Sequence, residues 1–348
     1  MGNKAGWIIA GVVGLCLVIA IVWAIAFPPP SKPTYLTLAP GALDLKGADA
    51  RLGRICPEPT GSGNAADDYA RAIEAHQANL DAIEKCWLLG PKIRDGQAPM
   101  PADGLAAVQA VYQHVAAGAA KKDMQYYFSH TPRAWASPYD CSKDVNRFQQ
   151  LMDVCKLMSY HHTSQGPGSY GQAEKALFDL VRMGDHCVRE RGRLELVTAG
   201  VAFQRIAIDE LGLLYKKWGK NDRLAALNEH RQAVQEISDS YRDHLRTIHT
   251  LKMKPDGGST LANPGDVFNL AANHKDRCIR IEAGVFVGAI RLTAERRGDR
   301  RYAAKLGSQM ARSGDPLEAA AGQAAMNMTQ ADLNRLATGA SSSDPPGM

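Results

Sequence analysis

The chain has 348 residues, and its 41 Lys and Arg against 36 Asp and Glu give a formal net charge of +5. So mild a basic excess does not suit a dedicated nucleic-acid binder, and no nucleic-acid partner is expected. Aromatics are scarce at 7% and alanine is plentiful. Alanine is the best helix former, and β-branched alternating runs are nearly absent outside the first segment, so the expected class is all-α.

After a short flank, residues 1–6, an unbroken apolar run extends from Trp7 to Phe27 without a charged residue. As a helix it spans roughly 30 Å, the thickness of a hydrocarbon core. Trp7 and Trp23 stand near its two ends, where amphipathic rings favour the interfaces. Pro28, Pro29 and Pro30 then stop any helix and favour an extended stalk. The run predicts a transmembrane helix over 7–27 with the lipid bilayer as its partner. A Pro/Gly-rich stalk and leader follow over 28–64. The competing reading is a cleavable secretory signal, for which Ala24-Ile25-Ala26 has the small-x-small form.

The flanking charges do not orient the anchor: Lys4 lies on one side, Lys32 and Lys46 on the other. The cysteines beyond it are Cys56, Cys86, Cys141, Cys155, Cys187 and Cys278. An even number suits an oxidising compartment and a disulfide framework. The expectation is a single-pass membrane protein whose soluble part lies outside, on the periplasmic or extracellular side. The pairs would be Cys56–Cys86, Cys141–Cys155 and Cys187–Cys278. The alternative is six buried thiols in a reduced body.

A helical domain is expected over 65–252. Its first helix covers 65–89, capped by Asn64 and stopped by Gly90-Pro91. Further helices are predicted over 102–129 and 143–161, with a loop over 162–168. Ser169 and Gln172 form a capping box for the next helix, which runs to about Arg191. A long helix over 193–218 ends at Gly219, and another, capped by Asn221, reaches toward Lys252. Residues 253–263 are a loop.

The C-terminal segment, 264–338, starts with a predicted long helix over 265–297 and a shorter one from Asp299 to Arg312. Asp315-Pro316 supplies a cap and an N1 proline, and Thr329 with Asp332 caps a last helix. Residues 339–348 form a small, polar tail expected to be disordered. The stretch from Gly298 to Thr329 resembles one HEAT-like helix pair, with Asp-Pro at the turn and an alanine-rich second helix. No second copy follows at a period of 35–45 residues. The overall plan resembles uncharacterised bacterial single-pass proteins with helical repeat-like ectodomains. Those resemblances imply antiparallel hairpins in an irregular solenoid or bundle, and no activity.

Candidate chemistry is thin. Cys155, His161 and His162 form the most metal-like cluster, but zinc needs three or four converging ligands and adjacent histidines diverge. Asp185-His186-Cys187 sits within one helix, so its members face different sides. His230, His244 and His249 share a helix and read as solvated. Arg291, Arg296, Arg297, Arg300 and Arg301 form the densest basic patch, suited to an anionic partner or to ion pairs with Glu295 and Asp299. No Walker loop, dinucleotide fingerprint, haem motif, HExxH or GxSxG occurs. No cofactor and no catalytic residue is therefore expected. The sequence predicts a membrane-anchored helical interaction or scaffold module with a protein partner. The alternative is an extracytoplasmic ligand-binding protein or enzyme with a non-motif site between helices, near His161/His162 or Tyr126-Tyr127.

Overall fold

A computed structural model describes residues 51, 53–126, 142–190, 194–249 and 264–338. The predicted anchor at 7–27, Cys141, Tyr127, the loop at 253–263 and the tail at 339–348 lie outside them, as do the side chains of His244 and His249. Among the described residues no helix is long and apolar enough to cross a membrane.

The body is mostly helical, as composition predicts. The helices are α1 (Ala65–Ala78), α2 (Leu80–Arg94), α3 (Ala102–Ala119), α4 (Ser142–Ser164), α5 (Tyr170–Glu190), α6 (Leu194–Trp218) and α7 (Asp222–His249), then α8 (Pro264–Asn273), α9 (Arg277–Thr293), α10 (Arg297–Met310), α11 (Pro316–Asn327) and α12 (Gln330–Thr338). Two short strands, β1 (Gly61–Asn64) and β2 (Lys121–Asp123), pair in parallel with Gly61 opposite Lys121 and Asn64 opposite Asp123.

Several helix boundaries follow their local signals. Asn64 Oδ1 accepts from Ala66 N at 3.1 Å and caps α1. Asp315 Oδ1 accepts from Leu317 N at 2.9 Å and Glu318 N at 3.2 Å, with Pro316 opening α11. Thr329 N donates to Asp332 Oδ2 at 2.9 Å while Asp332 N donates to Thr329 Oγ1 at 3.3 Å, a reciprocal cap.

Other boundaries differ from expectation. The predicted helix over 65–89 breaks at Asn79, whose side-chain amide donates to Ala75 O at 2.8 Å and competes with the backbone ladder. The second piece, α2, runs through Gly90-Pro91 to Arg94 because Gly90 and Ile93 pack into the core. The predicted long helix at 265–297 also divides: Asp276 Oδ1 accepts from Cys278 N at 2.8 Å and starts α9 afresh. Helix α4 continues to Ser164, which places His162, beside His161, on a helix where a loop was expected from residue 162.

The leader is not a free stalk where it is described. Ile55 and Cys56 are buried. Arg182 Nη2 donates to Pro57 O at 2.6 Å, and Arg54 pairs with Glu229. Residues 53–60 therefore strap across α5 and α7.

One buried apolar cluster runs from Ile55 to Ala325. Helix α5 stands at its centre, packed on α3, α4 and most extensively on α6. At the α5–α6 crossing Gly184 meets Gly200: a Cβ on Gly184 would lie 2.7 Å from Gly200 O. The C-terminal helices gather round α9, which packs on α8, α10 and α11. Arg277 joins them to the rest, donating to Glu190 O at 2.7 Å and Asp315 Oδ2 at 3.1 Å.

Tyrosines carry a second layer of cohesion. Tyr112 donates to Asp179 Oδ2 at 2.6 Å, Tyr160 to Glu210 Oε1 at 2.7 Å and Tyr215 to Glu174 Oε1 at 2.8 Å. Each bond crosses between helices and ends on a carboxyl oxygen. Burial raises all three phenols well above the usual tyrosine range, and the partner carboxylates act in the same direction.

Candidate functional site

A groove of about 450 Å³ opens between the end of α2, the second half of α4 and the second half of α6. Arg94 and Asp95 come from the end of α2; Ser159, Tyr160 and Thr163 come from α4. Helix α6 contributes Glu210, Leu213, Leu214 and Lys217, whose spacing of three, four and seven places them along one helical face.

The polar groups of the floor are partly satisfied by one another. Tyr160 donates to Glu210, and Arg94 Nε donates to Asp95 Oδ1 at 3.0 Å. The Arg94 guanidinium also lies 5.9 Å from the centre of the Tyr160 ring. Ser159 is 3% exposed and Thr163 is buried, yet neither hydroxyl has a hydrogen-bond partner among the described residues. Thr293 shows the usual helical solution, donating back to Ala289 O at 2.8 Å. Ser159 and Thr163 leave that bond unmade and face the groove.

Beside the groove lies an exposed apolar face. Leu80, Trp87 and Leu88 project from α2, with Leu88 81% exposed, and Leu213 on α6 is 53% exposed. Lys156 Nζ sits 4.8 Å from the Trp87 ring centre, a cation–π contact.

A second cavity, of about 320 Å³, lies by the strand pair. Its cations Lys122, Arg182 and Arg189 are matched by Glu58, Asp123 and Asp185. Arg189 Nε donates to Asp185 Oδ2 at 2.7 Å, and Arg182 is spent on the leader. At its base His186 is fixed in one tautomer. Its Nε2 can only donate to Lys121 O, at 2.9 Å, so Nδ1 accepts from Tyr69 Oη at 2.8 Å. Burial lowers the His186 pKa to about 4 and keeps the ring neutral. Ion pairing of Lys121 with Asp68 at 2.5 Å completes a structural clasp around β1 and β2.

The candidate metal cluster does not assemble. Cys155 is fully buried in α4, where desolvation pushes its thiol well up. His161 and His162 sit about two turns further on, in the last turn of that helix, within 2.9 Å and 3.4 Å of the Gln165 amide group. Among the described residues no group of three or more His, Cys, Asp or Glu is placed to hold a metal. Asp185, His186 and Cys187 diverge as their helix dictates: toward Arg189, toward Tyr69 and toward Gly200. His230, expected to be solvated, is buried instead, with Nε2 3.0 Å from Gln204 Oε1.

The disulfide framework is likewise not seen. Cys56, Cys86, Cys155, Cys187 and Cys278 are free, buried thiols, so the pairs Cys56–Cys86 and Cys187–Cys278 do not form. Their packing explains it. Cys56 Sγ points at Phe178 O at 3.9 Å, Cys86 Sγ lies against Gly104, and Cys187 Cβ lies against Gly200. Each thiol fills a different helix seam. The cysteine count therefore no longer places this body on an oxidising side. Alkylation of the native chain should label none of these five thiols; alkylation after unfolding without reductant should label all five. Mass spectrometry reads both. Labelling of any only after reduction would contradict the thiol assignment.

Two members of the arginine patch are engaged with backbone carbonyls. Arg291 donates to Ala325 O at 3.1 Å and Met328 O at 2.8 Å, capping the end of α11. Arg300 donates to Ala294 O at 2.6 Å. Arg297 and Arg301 are also engaged, which leaves Arg296 at the start of α10. Arg291 and Arg300 thus bond the carbonyls at helix ends.

No family model, curated protein or solved structure matches the chain.

Proposed function

We propose that the chain is a membrane-tethered helical interaction module, held to a bilayer through residues 7–27, whose docking face for a protein partner is the exposed side of α2. The observation that carries this reading is the apolar stripe. Leu80, Trp87 and Leu88 recur at spacings of seven and eight, so they share one side of the helix. A lone exposed leucine means little, but several on one helix face make a patch suited to recognition. The partner chemistry that fits is an amphipathic helix laying its apolar side along α2. The apolar run at 7–27 supplies the tether.

The test is a photo-crosslinking amino acid placed at Leu88 in the full chain in its own membrane, with the exposed position Gln309 on α10 as control. A discrete protein adduct should form at Leu88 and not at Gln309.

A further inference from the structure

We infer that the occupant of the exposed side of α2 is α2 of a second copy of this chain, laid antiparallel across a two-fold axis at Leu88. The inference rests on the docking reading and names its partner. Leu88 is the most exposed large apolar side chain among the described residues, at 81%. Glu84 stands one turn before it and Lys92 one turn after, so the three follow one i, i+4 row along the helix. Both charged residues are exposed, and neither forms an ion pair among the described residues.

The row Glu84-Leu88-Lys92 is complementary to its own reverse. Run antiparallel about Leu88, two copies set Leu88 on the partner's Leu88, Glu84 on the partner's Lys92 and Lys92 on the partner's Glu84. An isologous contact of this kind closes at two chains. A parallel pair would set Glu84 on the partner's Glu84 and Lys92 on the partner's Lys92, and like charges across an interface repel. An antiparallel pair centred on Glu84 would cover Leu80 with the partner's Leu88 but press two carboxylates together. Trp87 widens the apolar centre of the row, and Asp81 and Lys85, four residues apart, offset each other at its edge. An anionic membrane surface fits this face less well, because Asp81 and Glu84 occupy its first half. One helix from each copy makes a small contact, of the weak and transient class. Tethering both copies in one bilayer raises their effective concentration and makes so weak a contact productive.

The test expresses two full-length chains with different tags together in their own membrane, each carrying Leu88→Cys, under mild oxidation. The yield of disulfide-linked dimer holding both tags reads the pairing. Leu88→Cys should give such a dimer, and Gln309→Cys on α10 should not. Glu84→Lys in both chains, or Lys92→Glu in both, should cut the yield about fivefold, since each sets like charges together twice. Glu84→Lys in one chain with Lys92→Glu in the other should restore it, because that mixture rebuilds both pairs. No excess of dimer at Leu88→Cys over Gln309→Cys, a yield indifferent to these charges, or a loss that the mixture does not restore would each overturn the self-pairing. A photo-crosslinked adduct of Leu88 with a different protein would overturn it too and leave the docking reading standing. No adduct of any kind would remove both.

Discussion

Gly184→Val destabilises the chain by about 3 kcal/mol and lowers Tm by roughly 6–12 °C. The α5–α6 crossing is the tightest in the centre of the body. A Cβ on Gly184 would stand 2.7 Å from Gly200 O and 2.8 Å from the Gln204 side chain. One on Gly200 would stand 2.5 Å from Gly184 O. Both closest neighbours are backbone, so no rotamer change relieves the clash. The helices must separate, and Leu180, Met183 and Cys187 lose their packing with them. Out of a total stability of about 5–15 kcal/mol, that loss is large. Gly171, in the first turn of the same helix, is the control, because nothing lies within 4 Å of a Cβ there. Gly171→Ala should leave Tm unchanged or slightly higher, through helix propensity alone. Thermal unfolding followed by circular dichroism separates the two. Equal Tm values for both variants would contradict the crossing.

The second large effect is a loss of stability in acid. His186 and His230 are both buried, and desolvation lowers each pKa from 6.5 to about 4. Nearby Arg182 adds to the lowering at both. Between those values the unfolded chain binds two protons that the folded chain refuses. Stability therefore rises with pH through this window. It is fully present above 6.5 and is lost as pH falls toward 4. Each histidine contributes roughly 3 kcal/mol. His76, His161 and His162 are lowered by burial as well and act in the same direction. Asp153 opposes them. Burial raises its pKa to about 6, so it favours the folded state below that value. Asp179, raised mainly by burial, opposes them too. The net expectation is a loss of roughly 3 kcal/mol between pH 7 and about 4.5. Urea midpoints across that range should fall for the wild-type chain. They should fall distinctly less for a His186→Gln, His230→Gln double variant. An unchanged slope in the double variant would show that these rings do not set the acid limit.

How much of this was legible depended on range along the chain. The caps at Asp315-Pro316 and Thr329–Asp332 were readable because donor and acceptor lie within three residues. The all-α class followed from alanine content and the lack of alternating β-branched runs. The break at Asn79 was missed, since apolar spacing continues across it while the Asn79 amide captures Ala75 O. Pro91 was overread as a stop; burial of Ile93 keeps the last turn of α2 intact around it. The pair β1–β2 joins GSGN to KKD, segments about sixty residues apart with no strand-forming composition, so no local pattern announced it. An even cysteine count suggested disulfides, but parity says nothing of where thiols point. The groove had one faint signal, the spacing of Glu210, Leu213, Leu214 and Lys217 on α6. Its other walls come from α2 and α4, and only folding brings the three together. The tyrosine–carboxylate bonds are of the same kind: Tyr112 and Asp179 carry no mark of each other in sequence.

Helix α2 is the docking face we propose for a tethered helical body. The most direct measurement is the adduct pattern of a photo-crosslinker carried at Leu88 by the full chain in its native membrane. The account predicts one discrete protein adduct at Leu88 and none at Gln309. It also predicts that Leu80→Glu, on the same stripe, suppresses the Leu88 adduct while Tm stays within a few degrees of wild type. Equal adducts at Leu88 and Gln309, none at either, or an adduct indifferent to Leu80→Glu would contradict it.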